Sequence, residues 1–117
     1  MLFRSPGDLV VEYGAGTGSL TESIAEHVAR TPGCRYLGIE RDPAFGTVLQ
    51  QRFPHLDFAV DDVQNVRTIL RERGLPSPRA ILSGLPLILL PAMQDIVTTA
   101  AAILRPGGVF RTFSYLQ

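Results

Sequence analysis

The sequence predicts an α/β fold, an open parallel sheet of about five strands covered by four helices. Short apolar runs alternate along the chain with segments of helical period, which is typical of strands connected by helices. Glycine and proline stand between these segments, where turns are required. The strands are expected at residues 9–13, 35–40, 57–60, 80–83 and 109–115.

Each of the four expected helices carries one apolar face, which a helix needs in order to cover a sheet. The apolar positions are Leu20, Ile24 and Val28 in the first helix; Phe45, Val48, Leu49 and Phe53 in the second; Val66, Ile69 and Leu70 in the third; and Met93, Ile96, Val97, Ala100, Ala101 and Leu104 in the fourth. Right-handed crossovers then favour the strand order 3-2-1-4-5, which puts a ligand crevice at the carboxyl ends of strands 1 and 4.

Composition excludes several classes of protein. The 117 residues suffice for one domain, residues 1–117, and the 45% of hydrophobic residues suffice for its core. Eleven basic and eleven acidic side chains cancel, so a nucleic-acid partner is not expected.

One cysteine forms no internal disulfide and the chain opens without a secretion signal, so a cytoplasmic location is expected. No metal site is expected, because His27 and His55 lack companion ligands.

Three glycines at every second position follow the first strand, at Gly14, Gly16 and Gly18. Glycine permits positive φ and leaves no Cβ to keep a ligand from the backbone, so this loop can turn tightly beneath a bulky group. The helix that follows has free N–H groups that point back toward the same place. The spacing differs from that of the dinucleotide-binding motif Gly-x-Gly-x-x-Gly.

Acidic residues follow the next two strands at the expected crevice. Glu40 ends the second strand 22 residues after Gly18. Its two oxygens suit the vicinal hydroxyls of a ribose, and the alternative is a solvated residue at a strand end. Asp61 and Asp62 follow the third strand. We favour Asp62 for the exocyclic amine of adenine, with Val63 packed on the ring, and Asp61 for a helix cap or for solvent.

The fourth strand ends in the turn Ser83-Gly84-Leu85-Pro86-Leu87. Glycine and proline together define a stiff turn at the mouth of the crevice, and its carbonyls can receive the N–H groups of a substrate amine. Such a turn by itself indicates no function. Its place beside the glycine loop makes it the candidate substrate side of the site.

Taken in order, residues 12–18, Glu40, Asp62 and residues 83–87 resemble the motifs of class I S-adenosylmethionine methyltransferases, over nearly the whole chain. The resemblance implies a Rossmann-like sheet, here without the family's usual last two strands, and S-adenosylmethionine as the methyl donor. It assigns cofactor contacts to Glu12, Gly14, Ala15, Gly16, Thr17, Gly18, Glu40, Arg41, Asp62 and Val63. It assigns the acceptor side of the site to Ser83, Gly84, Leu85 and Pro86.

Further segments narrow the resemblance to bacterial phospholipid N-methyltransferases, which methylate phosphatidylethanolamine. These segments are residues 11–21, 39–45, 52–54, 83–87 with Pro91, 104–108 and 113–115. The acceptor that the resemblance implies is an amine, on a small molecule or a lipid head group. Tyr115 is a candidate for a cation–π contact with the positive charge that develops on that amine, or else an ordinary strand aromatic.

Departures from that family leave alternatives open. The residues before Asp8 are too few for the amphipathic segment with which the family reaches membranes, so any membrane contact is expected to be transient and peripheral. Residues 110–115 would form an exposed strand edge, which favours a homodimer. Residues 12–21 also resemble rRNA adenine N-dimethyltransferases, although Ser83 and Leu87 replace the asparagine and the aromatic residue of their turn. A module that binds the cofactor without catalysis is a third alternative.

Overall fold

The computed structural model describes residues 7–113. The strands are β1 (Leu9–Tyr13), β2 (Arg35–Glu40), β3 (Asp57–Val60), β4 (Ala80–Ser83) and β5 (Val109–Thr112). The helices are α1 (Ser19–Arg30), α2 (Pro43–Arg52), α3 (Val66–Glu72) and α4 (Met93–Ile103), with short 3₁₀ turns at Val63–Asn65 and Leu87–Leu89. All five strands form one parallel sheet in the order β3-β2-β1-β4-β5, which confirms the predicted fold class and strand order.

The central strand, β1, determines where a ligand can bind. It pairs with β2 on one side and with β4 on the other, and its last residue, Tyr13, lies opposite Ile39 and Ser83. The chain proceeds outward from β1 to β3 and then returns to β4, so the strand order reverses between β1 and β4. A parallel sheet leaves a crevice at such a reversal, beyond the carboxyl ends of its strands.

Two apolar layers cover the sheet, and β1 is buried between them along its whole length. The larger layer, on the side of α3 and α4, includes Leu9, Val11, Tyr13, Leu37, Ile39, Ile81, Val66 and Ile96. The smaller layer, on the side of α1, consists of Val10, Ile24, Tyr36, Ala80 and Leu82. Fully burying one such aliphatic side chain stabilises a fold by about 1.5–3 kcal/mol. Side chains alternate along a strand, so Glu12 shares the α1 side with Val10.

The apolar face of α2 differs from the predicted one. Phe45 and Val48 are 41% and 53% exposed, whereas Gly46 and Leu49 face the sheet. A Cβ at Gly46 would lie 2.6 Å from Val60 Cγ2, so α2 approaches β3 through its glycine. That close approach turns the neighbouring positions outward.

The apolar face of α4 is also narrower than predicted. Ile96, Ala100 and Ile103 are its buried residues, whereas Met93 and Val97 are each 39% exposed and Ala101 is exposed. Ile103, which the predicted stripe omits, takes the place of Ala101 against the sheet. Met93 and Val97 line a cavity together with residues of β5.

The fifth strand ends earlier than predicted, at Thr112 rather than at residue 115. Phe113 still donates its backbone N–H to the carbonyl of Ser83, at 2.8 Å. Tyr115, which was expected in this strand, lies outside the described residues. Among the strands described, β5 pairs with β4 alone and forms an edge of the sheet, so the homodimer through this edge stays a prediction. No helix within residues 7–113 has both the length and the apolar character needed to span a bilayer.

Candidate functional site

Three adjoining cavities lie along the carboxyl edge of the sheet. The first, of about 210 Å³, is lined by Glu12, Gly14, Ala15, Gly16, Thr17, Ser19, Leu20 and Gly84. The second, of about 310 Å³, has among its lining residues Gly14, Glu40, Arg41, Asp61, Asp62, Val63 and Leu85. The third, of about 660 Å³, lies between the turn after β4, α4 and β5. Gly14 borders the first and second cavities, and Gly84 borders the first and third, so the three adjoin one another.

The residues predicted to contact a cofactor come together at the first two cavities. Gly18 is the exception, because it is buried beneath the loop and lines neither of them. On the acceptor side, Gly84, Leu85 and Pro86 line the third cavity, whereas Ser83 is fully buried behind them.

The glycine loop has the backbone conformation that its sequence predicts. Gly14, Gly16 and Gly18 have φ values of 70°, 53° and 89°, a region that only glycine enters at little cost. Gly14 donates its N–H to the carbonyl of Ile39 at 2.8 Å, so the neighbouring strand holds the start of the loop. Gly18 precedes the first residue of α1 and, as a glycine, offers no side chain to cap that helix. Its first N–H groups are therefore open to a ligand at the loop.

Side chains from distant segments pack against this loop. A Cβ on Gly14 would lie 2.5 Å from Leu85 Cδ2, so the turn after β4 packs directly on the first glycine. A Cβ on Gly18 would lie 3.0 Å from the ring of Phe53. Arg52 donates to the carbonyl of Thr17 at 2.9 Å and to the carboxylate of Glu22 at 2.6 Å. The end of α2 thus supports the outer side of the loop, a role that the sequence did not indicate for Arg52.

Glu12 is a buried carboxylate at the inner wall of the first cavity, with 1% of its surface exposed. Its Oε1 accepts hydrogen bonds from the Thr21 hydroxyl of α1 and from the Tyr36 hydroxyl of β2, each at 2.6 Å. Burial raises the pKa of Glu12, the two hydroxyls oppose that rise, and the nearby charge of Glu40 adds to it. Among the described residues no donor contacts its other oxygen, which is therefore left for a ligand.

The space for the Tyr36 hydroxyl comes from Gly38, a glycine to which the sequence pattern gives no role. A Cβ on Gly38 would collide with that hydroxyl and would lie 2.7 Å from Cδ1 of Phe58. The rings of Tyr36 and Phe58 pack edge to face, 5.5 Å apart. The pattern Tyr36-x-Gly38, two residues on one face of a strand, is the only local signal that could have pointed to this arrangement.

Replacing Tyr36 by phenylalanine is expected to lower the free energy of unfolding by about 1.5–3 kcal/mol, because a buried carboxylate loses one of its two donors. The lost bond had lowered the pKa of Glu12, so this destabilisation should grow as the pH rises through the raised pKa of that group. Urea denaturation at several pH values measures both effects.

The matched control is the same substitution at Tyr13, whose hydroxyl is buried and has no hydrogen-bond partner among the described residues. Tyr13→Phe should raise the free energy of unfolding by about 1 kcal/mol, since it removes an unsatisfied polar atom. Equal losses at Tyr13 and Tyr36 would contradict the role given to the Tyr36 hydroxyl.

Glu40 lies at the wall of the second cavity and joins the glycine loop to the end of β2. Its Oε1 accepts the backbone N–H of Gly16 at 2.7 Å, and its Oε2 accepts the backbone N–H of Asp42 at 2.9 Å. With 8% of its surface exposed, the carboxylate is fixed in position before any ligand arrives. Its alternative interpretation, a solvated residue at a strand end, is wrong. Each oxygen retains a lone pair that can accept from a hydroxyl in the cavity.

Of the two aspartates after β3, the one that caps the following turn is not the one expected. Asp62, not Asp61, caps the following 3₁₀ turn, because its Oδ1 accepts the N–H of Gln64 at 2.8 Å. Asp61 accepts the N–H of Asp62 at 2.7 Å and the side-chain amide of Asn65 at 2.8 Å. Both line the second cavity, and Val63 is buried beside them. The binding of an adenine amine by Asp62 stays a prediction and would use the oxygen that does not cap the turn.

The turn after β4 offers fewer carbonyls than expected. The carbonyl of Ser83 accepts the N–H of Phe113, and that of Leu85 accepts the N–H of Leu87, both at 2.8 Å. The Ser83 hydroxyl accepts the N–H of Leu85 at 3.2 Å and stiffens the turn from within. Pro86 and Leu87 also accept backbone N–H groups, so among the described residues only the Gly84 carbonyl of this turn has no backbone donor. Gly84 also borders both the first and the third cavity.

The thiol of Cys34 lies away from the site. Cys34 packs against the smaller apolar layer, and burial raises the pKa of its thiol, as expected of a small apolar residue rather than a nucleophile. Within residues 7–113 no three histidine, cysteine or acidic side chains are grouped so as to hold a metal ion.

Comparison with known proteins identifies similar sequences. A family profile described as "Methyltransferase domain" matches residues 11–110. The ornithine lipid N-methyltransferase of Singulisphaera acidiphila is 37% identical over 107 residues, which cover 87% of this chain and 55% of that protein. The ribosomal RNA small subunit methyltransferase A of Thermotoga maritima is 31% identical over 97 residues, which cover 80% of this chain and 31% of that protein. The chain thus spans between about a third and about half of the length of these relatives.

Solved structures share the same fold at low sequence identity. The trans-methyltransferase CalH in complex with SAH superposes with a TM-score of 0.73 at 19% identity, over 92% of this chain and 32% of that one. A putative rRNA methylase from Clostridium thermocellum superposes with a TM-score of 0.73 at 18% identity, over 93% of this chain and 63% of that one. At such identities the similarity concerns the fold alone.

Proposed function

The chain belongs to the class I S-adenosylmethionine-dependent methyltransferases, and on that premise we propose that it transfers a methyl group from S-adenosylmethionine to the amine of a lipid head group. The observation that best supports this function is that the three cavities adjoin one another at Gly14 and Gly84. An elongated donor can occupy the first two cavities, and an acceptor can reach it from the third.

The residues of the first two cavities fit the chemistry of the donor. The methionine part is cationic at its ammonium group, and the free oxygen of Glu12 provides a buried counter-charge in the first cavity. The second cavity provides the fixed carboxylate of Glu40 for two ribose hydroxyls. It also provides Asp62 for the adenine amine and Val63 for the face of the ring. Gly14, with Leu85 packed against it, lies where the two cavities adjoin.

The reaction needs alignment and the exclusion of water more than acid–base catalysis. S-adenosylmethionine, when bound, supplies a methyl group made electrophilic by the adjacent sulfonium. The Gly84 carbonyl accepts an N–H of the acceptor amine and so directs the nitrogen lone pair toward the first cavity. The hydrogen bond from the Leu85 N–H to the Ser83 hydroxyl stiffens the turn that carries this carbonyl. The amine gains a methyl group and releases a proton to solvent, and Tyr115 is a candidate to face the positive charge.

A lipid head group is the acceptor best supported, for two reasons. The ornithine lipid N-methyltransferase is more similar to this chain than the ribosomal RNA methyltransferase, at 37% against 31% identity. The turn after β4 also carries an aliphatic residue, Leu87, where stacking on an RNA base would need an aromatic ring. Activity on a membrane lipid makes a peripheral location at the membrane part of the same proposal.

Two measurements test the function in sequence. Titration calorimetry with S-adenosylmethionine tests donor binding, and no heat of binding at millimolar ligand would refute the proposal. Transfer of a radiolabelled methyl group is then compared among vesicles with ethanolamine lipid, vesicles with ornithine lipid, a soluble amine and ribosomal RNA. We expect label in one of the two lipids. Label in RNA would instead establish the adenine methyltransferase alternative, and donor binding without any transfer would indicate a binding module.

A further inference from the structure

The third cavity is an apolar groove, defined here by Ile88, Met93, Val97, Phe110, Thr112 and Phe113 and called the α4–β5 groove. With about 660 Å³ it is larger than the two cavities assigned to the donor, and none of the residues within 7–113 that line it has an ionisable side chain. The Thr112 hydroxyl is the one polar side-chain group among these six residues. A groove of this size and lining suits hydrocarbon rather than a polar head group.

The side chains of the groove are exposed at its outer end. Ile88 is 83% exposed, and Val97 and Phe113 are 39% and 37% exposed. Leu89, the neighbour of Ile88 on the same 3₁₀ turn, is 68% exposed. Contiguous exposed apolar side chains on a folded domain mark a surface that binds another apolar group.

The inner end of the groove meets the proposed reaction centre. Gly84 lines both the groove and the first cavity, and Leu85 lines both the groove and the second cavity. The groove therefore starts at the carbonyl proposed to hold the acceptor amine and opens at Ile88 and Phe113. A ligand that fills it has one end at the methyl donor and the other at the surface.

We propose that the α4–β5 groove binds an acyl chain of the acceptor, so that the enzyme selects long-chain amine lipids over water-soluble amines with the same head group. This inference rests on the proposed function and adds the part of the substrate that is recognised. An acyl chain is the occupant that fits best, because it is uncharged along its whole length and is joined to the amine that must lie at Gly84. A second copy of the chain could cover the outer end of the groove, but it would not place an amine at Gly84 beside the cavity proposed for the donor.

The test places a charge in the groove at a position that tolerates it. The test variant is Val97→Asp, because Val97 lies on an exposed part of α4. The matched control is Val48→Asp, because Val48 is 53% exposed on α2 and does not line the groove. Rates are measured with a long-chain ethanolamine lipid in mixed micelles and with its water-soluble short-chain analogue. Val97→Asp should raise KM for the long-chain lipid by about tenfold or more, and leave the short-chain rate and donor affinity within about twofold. Val48→Asp should change neither. Equal effects on both lipids, or no effect, would overturn the proposal.

Direct binding separates a failure of the groove from a failure of the proposed function. A fluorescent long-chain ethanolamine lipid is titrated with the protein in the presence of S-adenosylhomocysteine, with the milder Val97→Ser as a second variant if Val97→Asp does not fold. If the Val97 variants weaken lipid binding but the protein transfers a methyl group to no acceptor, the role of the groove is supported and the proposed methyltransferase function is refuted. Lipid methylation that is insensitive to Val97 would support the function and refute the groove. A dimer that Val97→Asp dissociates without affecting lipid transfer would identify the groove as an interface between copies instead.

Discussion

Replacing Glu40 by alanine is expected to weaken S-adenosylmethionine binding by about 1–3 kcal/mol, which is about a fivefold to 150-fold increase in Kd. The variant removes an anionic acceptor for the ribose hydroxyls, which would then lie in the second cavity without partners. It also frees the N–H groups of Gly16 and Asp42, which Glu40 now accepts at 2.7 and 2.9 Å. Titration calorimetry measures the loss, and Glu72→Ala, at an exposed position of α3, is the control that should leave Kd unchanged.

A second ligand distinguishes direct contact from support of the loop. Adenosine has the ribose but not the methionine part, so a direct bond to the ribose predicts a similar fold-loss for adenosine and for S-adenosylmethionine. If Glu40 acted only by shaping Gly16, adenosine would bind nearly as well to Glu40→Ala as to the native protein. An unchanged Kd for both ligands would remove Glu40 from the site.

Gly38→Ala is expected to be the most destabilising of the single substitutions considered, with a loss of about 3 kcal/mol in the free energy of unfolding. The new methyl group would collide with the Tyr36 hydroxyl and lie 2.7 Å from the Phe58 ring. Moving Tyr36 away would also break its hydrogen bond to Glu12. For a domain with a total stability of about 5–15 kcal/mol, such a loss is readily measured by urea denaturation.

The control for this substitution is Gly46→Ala, which has an equally close neighbour of a different kind. A Cβ at Gly46 would lie 2.6 Å from Val60 Cγ2, but Val60 is half exposed and can turn aside. Alanine also favours the helical conformation of α2 by up to about 1 kcal/mol over glycine. Gly46→Ala should therefore change stability by less than about 1 kcal/mol. A similar, small effect of both substitutions would show that the packing at Gly38 is loose.

Features that depend on short-range pattern could be predicted from the sequence. The strand order follows from the alternation of strands and helices, and the positive φ values of the loop follow from the spacing of Gly14, Gly16 and Gly18. Glu40 could be placed at the crevice because it ends a strand next to β1. These inferences need only local periodicity and general rules of topology.

Features that depend on contacts between distant residues could not be predicted. The bond from Tyr36 to Glu12 joins residues 24 positions apart and requires both the register of β1 with β2 and the empty space at Gly38. The cap at Asp62 depends on where the chain turns after β3. If the turn began one residue earlier, Asp61 would be the capping residue instead. Which carbonyls after β4 stay free depends on hydrogen bonds made by Phe113, 30 residues further along the chain.

The proposed contact between the buried carboxylate of Glu12 and the ammonium group of the donor predicts that donor binding is linked to a change in protonation. Burial raises its pKa, so the native state holds the proton more tightly than the unfolded chain does. Its contribution to stability is therefore full below the ordinary carboxyl pKa and is lost as the pH rises through the raised value. A bound ammonium group would lower the pKa again, so that near this raised value binding would release protons to the buffer. The apparent enthalpy of S-adenosylmethionine binding would then vary with the ionisation heat of the buffer, which reports the charge on Glu12 without any mutation.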